Sequence, residues 1–143
     1  MGNALQNLKT LHYTRRIYNG KFVPNNNLPK ASATFNPEDS ADKVVPAAAG
    51  KTGTDQMTPL AARLFGTYTF AVGLIRFYAA YGFENKMIYQ LGIWTHVIAA
   101  AHFTSEWLIF KSVKPGWEHM FPFVASYVGT IWMLTQYNNY VVN

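Results

Sequence analysis

Residues 87–105 read MIYQLGIWTHVIAAAHFTS, 19 positions without a formal charge, and Glu106 closes the run. About 20 apolar residues span the hydrocarbon core of a bilayer as a helix. A soluble helix of that length carries a charged face at every turn, and this one has none. A second such run covers His119 to Asn143, 25 residues without a charged side chain. Upstream, Thr58-Pro59 opens a stretch from Leu60 to Gly82, interrupted by Arg63 and Arg76; proline is tolerated in a first helical turn. The expectation is an all-α integral membrane bundle with three transmembrane helices near 60–82, 87–110 and 119–138. A soluble three-helix bundle is the competing reading.

Composition separates two halves of the 143-residue chain. Half the residues are apolar and only 13% are charged, against about a quarter in ordinary soluble domains. Residues 58–143 hold 8 of the 19 charges and 19 of the 23 aromatics. The mean hydropathy of -0.03 averages these unlike halves. With no cysteine, a disulfide framework, thiolate catalysis, thiolate zinc sites and iron–sulfur clusters are excluded. The net charge of +5 is spread along the chain, which argues against nucleic-acid binding. Tyr78, Tyr81, Phe83 and Tyr89 at one end of the apolar stretches, and Trp107, Phe110, Trp117 and Phe121 at the other, resemble interfacial belts.

The first 57 residues divide in two. Residues 1–19 are expected to form one N-terminal amphipathic helix, with Leu5, Leu8, Leu11, Tyr13, Ile17 and Tyr18 at roughly helical spacing and Lys9, Arg15 and Arg16 between them. Asn19-Gly20 reads as its stop. Such a helix lies on a protein surface or on a membrane. Met1-Gly2-Asn3 invites an N-myristoylation reading, but Gln6 stands where serine or threonine belongs. Residues 20–57 hold Pro24, Pro29, Pro37, Pro46 and scattered charges without a period, and are expected to be a flexible linker. Gly50-Lys51-Thr52 inside it resembles half a phosphate loop; Val45 occupies the position of the missing glycine.

Short connections make the three long helices antiparallel neighbours, so polar groups can be matched by depth. Call the side holding residues 1–57 the near side. Arg63 and Glu106 each lie about one turn inside the near end, and Arg76 about 20 Å further. An unpaired carboxylate at that depth costs on the order of 2–3 kcal/mol. An Arg63–Glu106 pair is therefore expected, with Arg76 snorkelling to the far interface or lying on Trp94. Separate snorkelling of all three charges is the alternative. Ala62, Gly66, Thr69, Gly73, Arg76 and Ala80 form one helical stripe; Gly92, Thr95, Ala99, His102 and Glu106 form another. Small residues such as Gly66, Gly73, Gly92 and Ala99 let membrane helices approach closely, within the chain or against a partner. His102 and Glu106 point the same way, which suits a structural link between helices or an acid–base pair. No metal-ligand repeat, nucleophile elbow or dinucleotide fingerprint is present. The expectation is no catalytic residue, no cofactor and no metal. Basic residues concentrate on the near side, and positive-inside logic places it in the cytoplasm.

Several runs resemble the ergosterol biosynthetic protein 28 family. Gly2-Asn3-Ala4-Leu5-Gln6 is similar to its Gly-Asn-x-x-Gln segment, and Arg16-Ile17-Tyr18 to the basic-aliphatic-Tyr that follows. Residues 58–69, TPLAARLFGTYT, resemble its Leu-x-x-Arg-Thr-Phe-Gly-x-Trp-Thr motif, with Leu64 for the threonine and Tyr68 for the tryptophan. Ile75–Tyr81, Ile88–Thr95, Ala101–Leu108 and Val128–Leu134 resemble the segments that follow, in the family's order. The family places a hydrophobic helix ahead of the Gly-Asn-x-x-Gln segment; this sequence is expected to lack it, which leaves three spans. The resemblance implies a non-catalytic scaffold in the endoplasmic reticulum membrane. Its partners would be the sterol C-4 methyl oxidase, the sterol C-4 decarboxylase (a 3β-hydroxysteroid dehydrogenase) and the 3-keto sterol reductase. The alternative is a sterol-binding or catalytic membrane protein that uses His102 and Glu106.

Overall fold

A computed structural model describes residues 2–141; Met1, with the myristoylation reading that needs its removal, and Val142 and Asn143 lie outside the described residues. The chain is mostly helical. Three long helices dominate: α3 (Pro59–Tyr81), α4 (Lys86–Leu108) and α5 (Trp117–Thr135). Before them come α1 (Gly2–Lys9), α2 (His12–Ile17) and the strands β1 (Phe22–Pro24) and β2 (Val44–Pro46); α6 (Tyr137–Tyr140) follows.

Local chemistry fixes the long helices. The Thr58 side chain accepts from the Ala61 N–H and Pro59 takes the first helical turn of α3, so one orphan donor is satisfied and another is absent. Asn85 caps α4 by accepting from the Met87 and Ile88 N–H groups. Pro122 sits inside α5 and leaves the Glu118 carbonyl without its i+4 donor. At the end of α4, Lys111 adopts φ 57°, a left-handed C-terminal turn that sends the chain back toward residues 19–20.

The N-terminal segment is two helices rather than the expected single one. The Thr10 hydroxyl accepts from the His12 N–H at 3.2 Å, and the second helix begins at His12. The two pieces then serve different neighbours: α1 packs on α3, and α2 reaches α5. In α1 the residues turned inward are Ala4 and Asn7, while Leu5 and Leu8 face out.

Residues 20–57, expected as a flexible linker, form backbone-paired structure. β1 and β2 pair antiparallel with Val23 opposite Val45, and Phe22 also bridges to Thr54. Hydrogen bonds run from Phe22 N–H to Thr54 O and from Ala47 N–H to Lys21 O, both 2.8 Å. The β-branched residues Val23, Val44 and Val45 suit this pairing, and the prolines fall at strand ends, where a missing N–H is harmless. Arg15 and Lys21 hold Asp55 at 3.2 and 3.8 Å and tie the segment to α2.

The bundle buries small and polar side chains. Ala62, Gly66, Ala79, Gly92, Thr95, Ala99 and Ser126 are inside. Ile98, Val128 and Ile131 are 52%, 58% and 61% exposed. A compact apolar cluster of Tyr89, Ile93 and Val141 with Met133 and Tyr137 closes the far end. Among the described residues no helix is long and apolar enough to cross a membrane.

Candidate functional site: a polar corner beside an apolar groove

The near end of α4 meets the chain segment after α2. Tyr18, just past the end of α2, stands between α3 and α4. Its ring meets Phe65 edge-on at 5.4 Å, and its hydroxyl lies 2.6 Å from His102 Nε2. The other ring nitrogen, Nδ1, faces Glu106 Oε1 at 3.9 Å. The second Glu106 oxygen accepts from the Ser112 hydroxyl. The Ser112 carbonyl in turn accepts from the Gly20 N–H at 2.8 Å, and Asn19 Oδ1 accepts from the Lys114 N–H at 2.7 Å. Gly20 is required here: a Cβ would lie 2.8 Å from the Ser112 backbone. Outside this line Arg16 forks onto Glu118 Oε1, with Nη2 at 2.5 Å and Nε at 3.2 Å.

Charge follows geometry. Burial, and then the Glu106 carboxylate, hold the Tyr18 phenol well above its ordinary 10.0, so the hydroxyl keeps its proton. The hydrogen bond from Arg16 holds Glu118 below its ordinary 4.5.

The expected Arg63–Glu106 pair is not formed. Ala62 and Gly66 face α1, where a Cβ on Gly66 would touch the Ala4 carbonyl oxygen at 3.0 Å. One residue turns a helix by about 100°, so Arg63 points outward. It makes no ion pair among the described residues, while Tyr18 fills the space beside His102. Arg76 also departs from expectation. Its Nε donates to Thr95 Oγ1 at 3.0 Å and its Nη2 to the Thr95 carbonyl at 3.3 Å. The Thr95 hydroxyl passes the link on to the Gly92 carbonyl at 2.7 Å. A guanidinium with an inward acceptor pair has no reason to snorkel.

The small residues separate by neighbour. Gly66 meets α1. Gly92 sits where a Cβ would lie 3.0 Å from both Ala79 of α3 and Met133 of α5. Gly73 and Ala99 line a cavity of about 310 Å³ shared with Arg76 and Ser126. His119 is buried against Phe103, Trp107 and Phe123.

Two cavities flank the Tyr18–His102 link. One of about 390 Å³ is lined by apolar Leu64, Phe65 and Ile98 together with Tyr18, Tyr68 and His102. The other, about 190 Å³, includes Glu106, Ser112 and Gln56. Tyr18, Met57 and Ala61 line both. The Tyr68 hydroxyl is buried with no hydrogen-bond partner among the described residues. No group of three or more His, Asp or Glu able to hold a metal occurs among the described residues.

Fold and site thus define a small helical bundle with an apolar exterior and a polar corner built from both ends of the sequence. The chain belongs to the Erg28 like protein family, which matches residues 1–131. It is 43% identical over 141 residues to ergosterol biosynthetic protein 28 of Gibberella zeae, covering 99% of this chain and 83% of that one. The Candida albicans protein of the same name is 46% identical over 77 residues, 54% of this chain and 56% of its own. The Homo sapiens homolog is 31% identical over 70 residues, 49% of this chain and 50% of its own. Against these last two relatives the chain spans about half their length. Their names state a biosynthetic role and no catalytic activity. No solved structure matches the chain.

Proposed function

We propose that this chain acts in ergosterol biosynthesis as a non-catalytic membrane scaffold. It would sit as a multi-pass protein in the endoplasmic reticulum membrane and tether the sterol C-4 methyl oxidase, the C-4 decarboxylase and the 3-keto sterol reductase. The reading rests on membership of the Erg28 like family, whose relatives are named for ergosterol biosynthesis.

One structural observation supports the membrane setting: the side chains turned outward are the large apolar ones. Leu74, Ile98, Val128 and Ile131 face out, while Arg76, Thr95, His96 and Ser126 turn in and find partners there. A hydropathy mean counts both faces of a helix together, and here the inward polar residues lower it. The medium around the bundle meets only the outward face. Soluble monomers rarely leave so much contiguous apolar surface uncovered; lipid tails or partner helices would cover it. An inward arginine and threonine that bond across helices, as Arg76 does to Thr95, are the membrane pattern.

Tethering works through effective concentration. Three enzymes held on one small bundle pass an apolar intermediate over short distances, without a new catalytic group. The test is recovery of the three enzymes with the tagged chain from mild detergent, together with sterol analysis of a deletion strain. Co-purification and accumulated C-4-methylated sterols are expected. Unchanged C-4 demethylation in the deletion strain, with none of the enzymes recovered, would reject the scaffold.

A further inference from the structure

We propose that the groove beside Tyr18 binds an uncharged, largely apolar alcohol of sterol type, with its hydroxyl on the Tyr18 oxygen and its hydrocarbon body along Phe65 and Ile98. The inference takes its sterol class and membrane setting from the proposed function. The alcohol follows from geometry.

The larger cavity, about 390 Å³, lies within the roughly 300–1,000 Å³ of small-molecule sites. Its wall is graded. Leu64, Phe65 and Ile98 supply the apolar part, and polarity enters at the Tyr18–His102 link, beyond which lie Glu106 and Ser112. Among the described residues neither cavity is lined by lysine or arginine, and the one carboxylate is Glu106. A phosphate or carboxylate head would meet repulsion and no countercharge. An uncharged head meets neither.

Proton positions narrow the head group further. Glu106 Oε1 faces His102 Nδ1, which favours the imidazole proton on that nitrogen. His102 Nε2 is then an acceptor, and the Tyr18 hydroxyl donates to it across 2.6 Å. The Tyr18 oxygen has spent its only proton and keeps a lone pair. That lone pair accepts from a ligand O–H. A ketone at the Tyr18 oxygen finds no donor there, although the unpaired Tyr68 hydroxyl lines the same cavity. The Tyr18 end of the groove thus favours a sterol alcohol over the corresponding ketone by one hydrogen bond. No bond is made or broken in the ligand.

The test uses the purified full chain in lipid nanodiscs with a sterol carrying a photoactivatable diazirine and a free 3-hydroxyl, and the matched 3-keto probe. Saturable labelling within residues 57–68 and 98–102 by the alcohol is expected. Labelling should fall about tenfold with the ketone or in Tyr18→Phe, the loss of one hydrogen bond to a buried partner. Ala61→Trp, which crowds the groove, should abolish it. Equal labelling by both probes, or labelling that does not saturate and spreads over the outward helix faces, would overturn the site. Enzyme recovery separates this from the scaffold. A wild-type chain that recovers the enzymes but labels without saturation removes the groove alone. Saturable labelling without recovered enzymes removes the scaffold alone.

Discussion

The α3–α4 crossing and the near-end corner solve the same problem in different ways. At the crossing, Arg76, Ala79, Gly92 and Thr95 meet within two regular helices; Arg76 is answered by Thr95 one helix away, and Thr95 in turn by Gly92 one turn back. At the corner, Tyr18 reaches His102 and Arg16 reaches Glu118 across most of the sequence. The crossing depends on close backbone approach, so steric change there should cost most. The corner depends on hydrogen bonds, so each change should cost little while altering recognition.

The largest expected effect is Gly92→Leu. Its side chain has no room between Ala79 and Met133, and overpacking costs about 1–3 kcal/mol, read as a lowered unfolding midpoint in detergent. Gly92→Ala should lie between this variant and wild type. A Gly92→Leu chain as stable as wild type would mean that α3, α4 and α5 do not pack as described.

Next comes Thr95→Val, which strips Arg76 of its hydroxyl partner at similar volume, for about 1–2 kcal/mol. The double change Arg76→Met with Thr95→Val should recover part of the loss, because the charge left without a full partner is gone. If the double change is no better than Thr95→Val alone, Arg76 is not held by Thr95.

Tyr18→Phe should cost about 1 kcal/mol in stability, less than Thr95→Val, because the ring still packs on Phe65. A loss larger than at Thr95 would reverse the order of the two regions.

The smallest effect is at the exposed Arg16–Glu118 pair. Glu118 has its folded pKa below the ordinary 4.5. It therefore contributes stability that is complete above the unfolded value and is lost as pH falls through the lowered folded value. The loss of stability as pH falls below the ordinary 4.5 should become shallower in Arg16→Gln, and high salt should mimic the change. An acid limb identical in wild type and variant would show the pair to be idle.

The difference between the regions also decides what the sequence revealed. Gly92, Thr95, Ala99, His102 and Glu106 recur at one helical period, so their shared face was legible, and Thr58-Pro59 marked the start of a helix. Depth matching failed for Arg63. Depth fixes height along a helix axis, whereas pairing also needs rotation about it, and α1 takes the face next to Arg63 through Ala4, Asn7 and Gly66. The corner left only weak traces. Arg16-Ile17-Tyr18 was part of the family resemblance, and Asn19-Gly20 read as a helix stop, but nothing local says that Gly20 must pass against Ser112. The hairpin in 20–57 was hidden for a related reason: three-residue strands are too short to show a period, and their pairing depends on where Thr54 returns.

The central claim is that the outward apolar faces of the long helices meet lipid. The chain has no cysteine, so single cysteines can report on it directly. Ile98→Cys and Val128→Cys should resist a charged maleimide in microsomes opened by freeze–thaw and react fully once detergent and urea are added, while Lys43→Cys should react in both. Rapid, complete labelling of Ile98→Cys and Val128→Cys in the opened microsomes would contradict the claim, because those faces would then be in water.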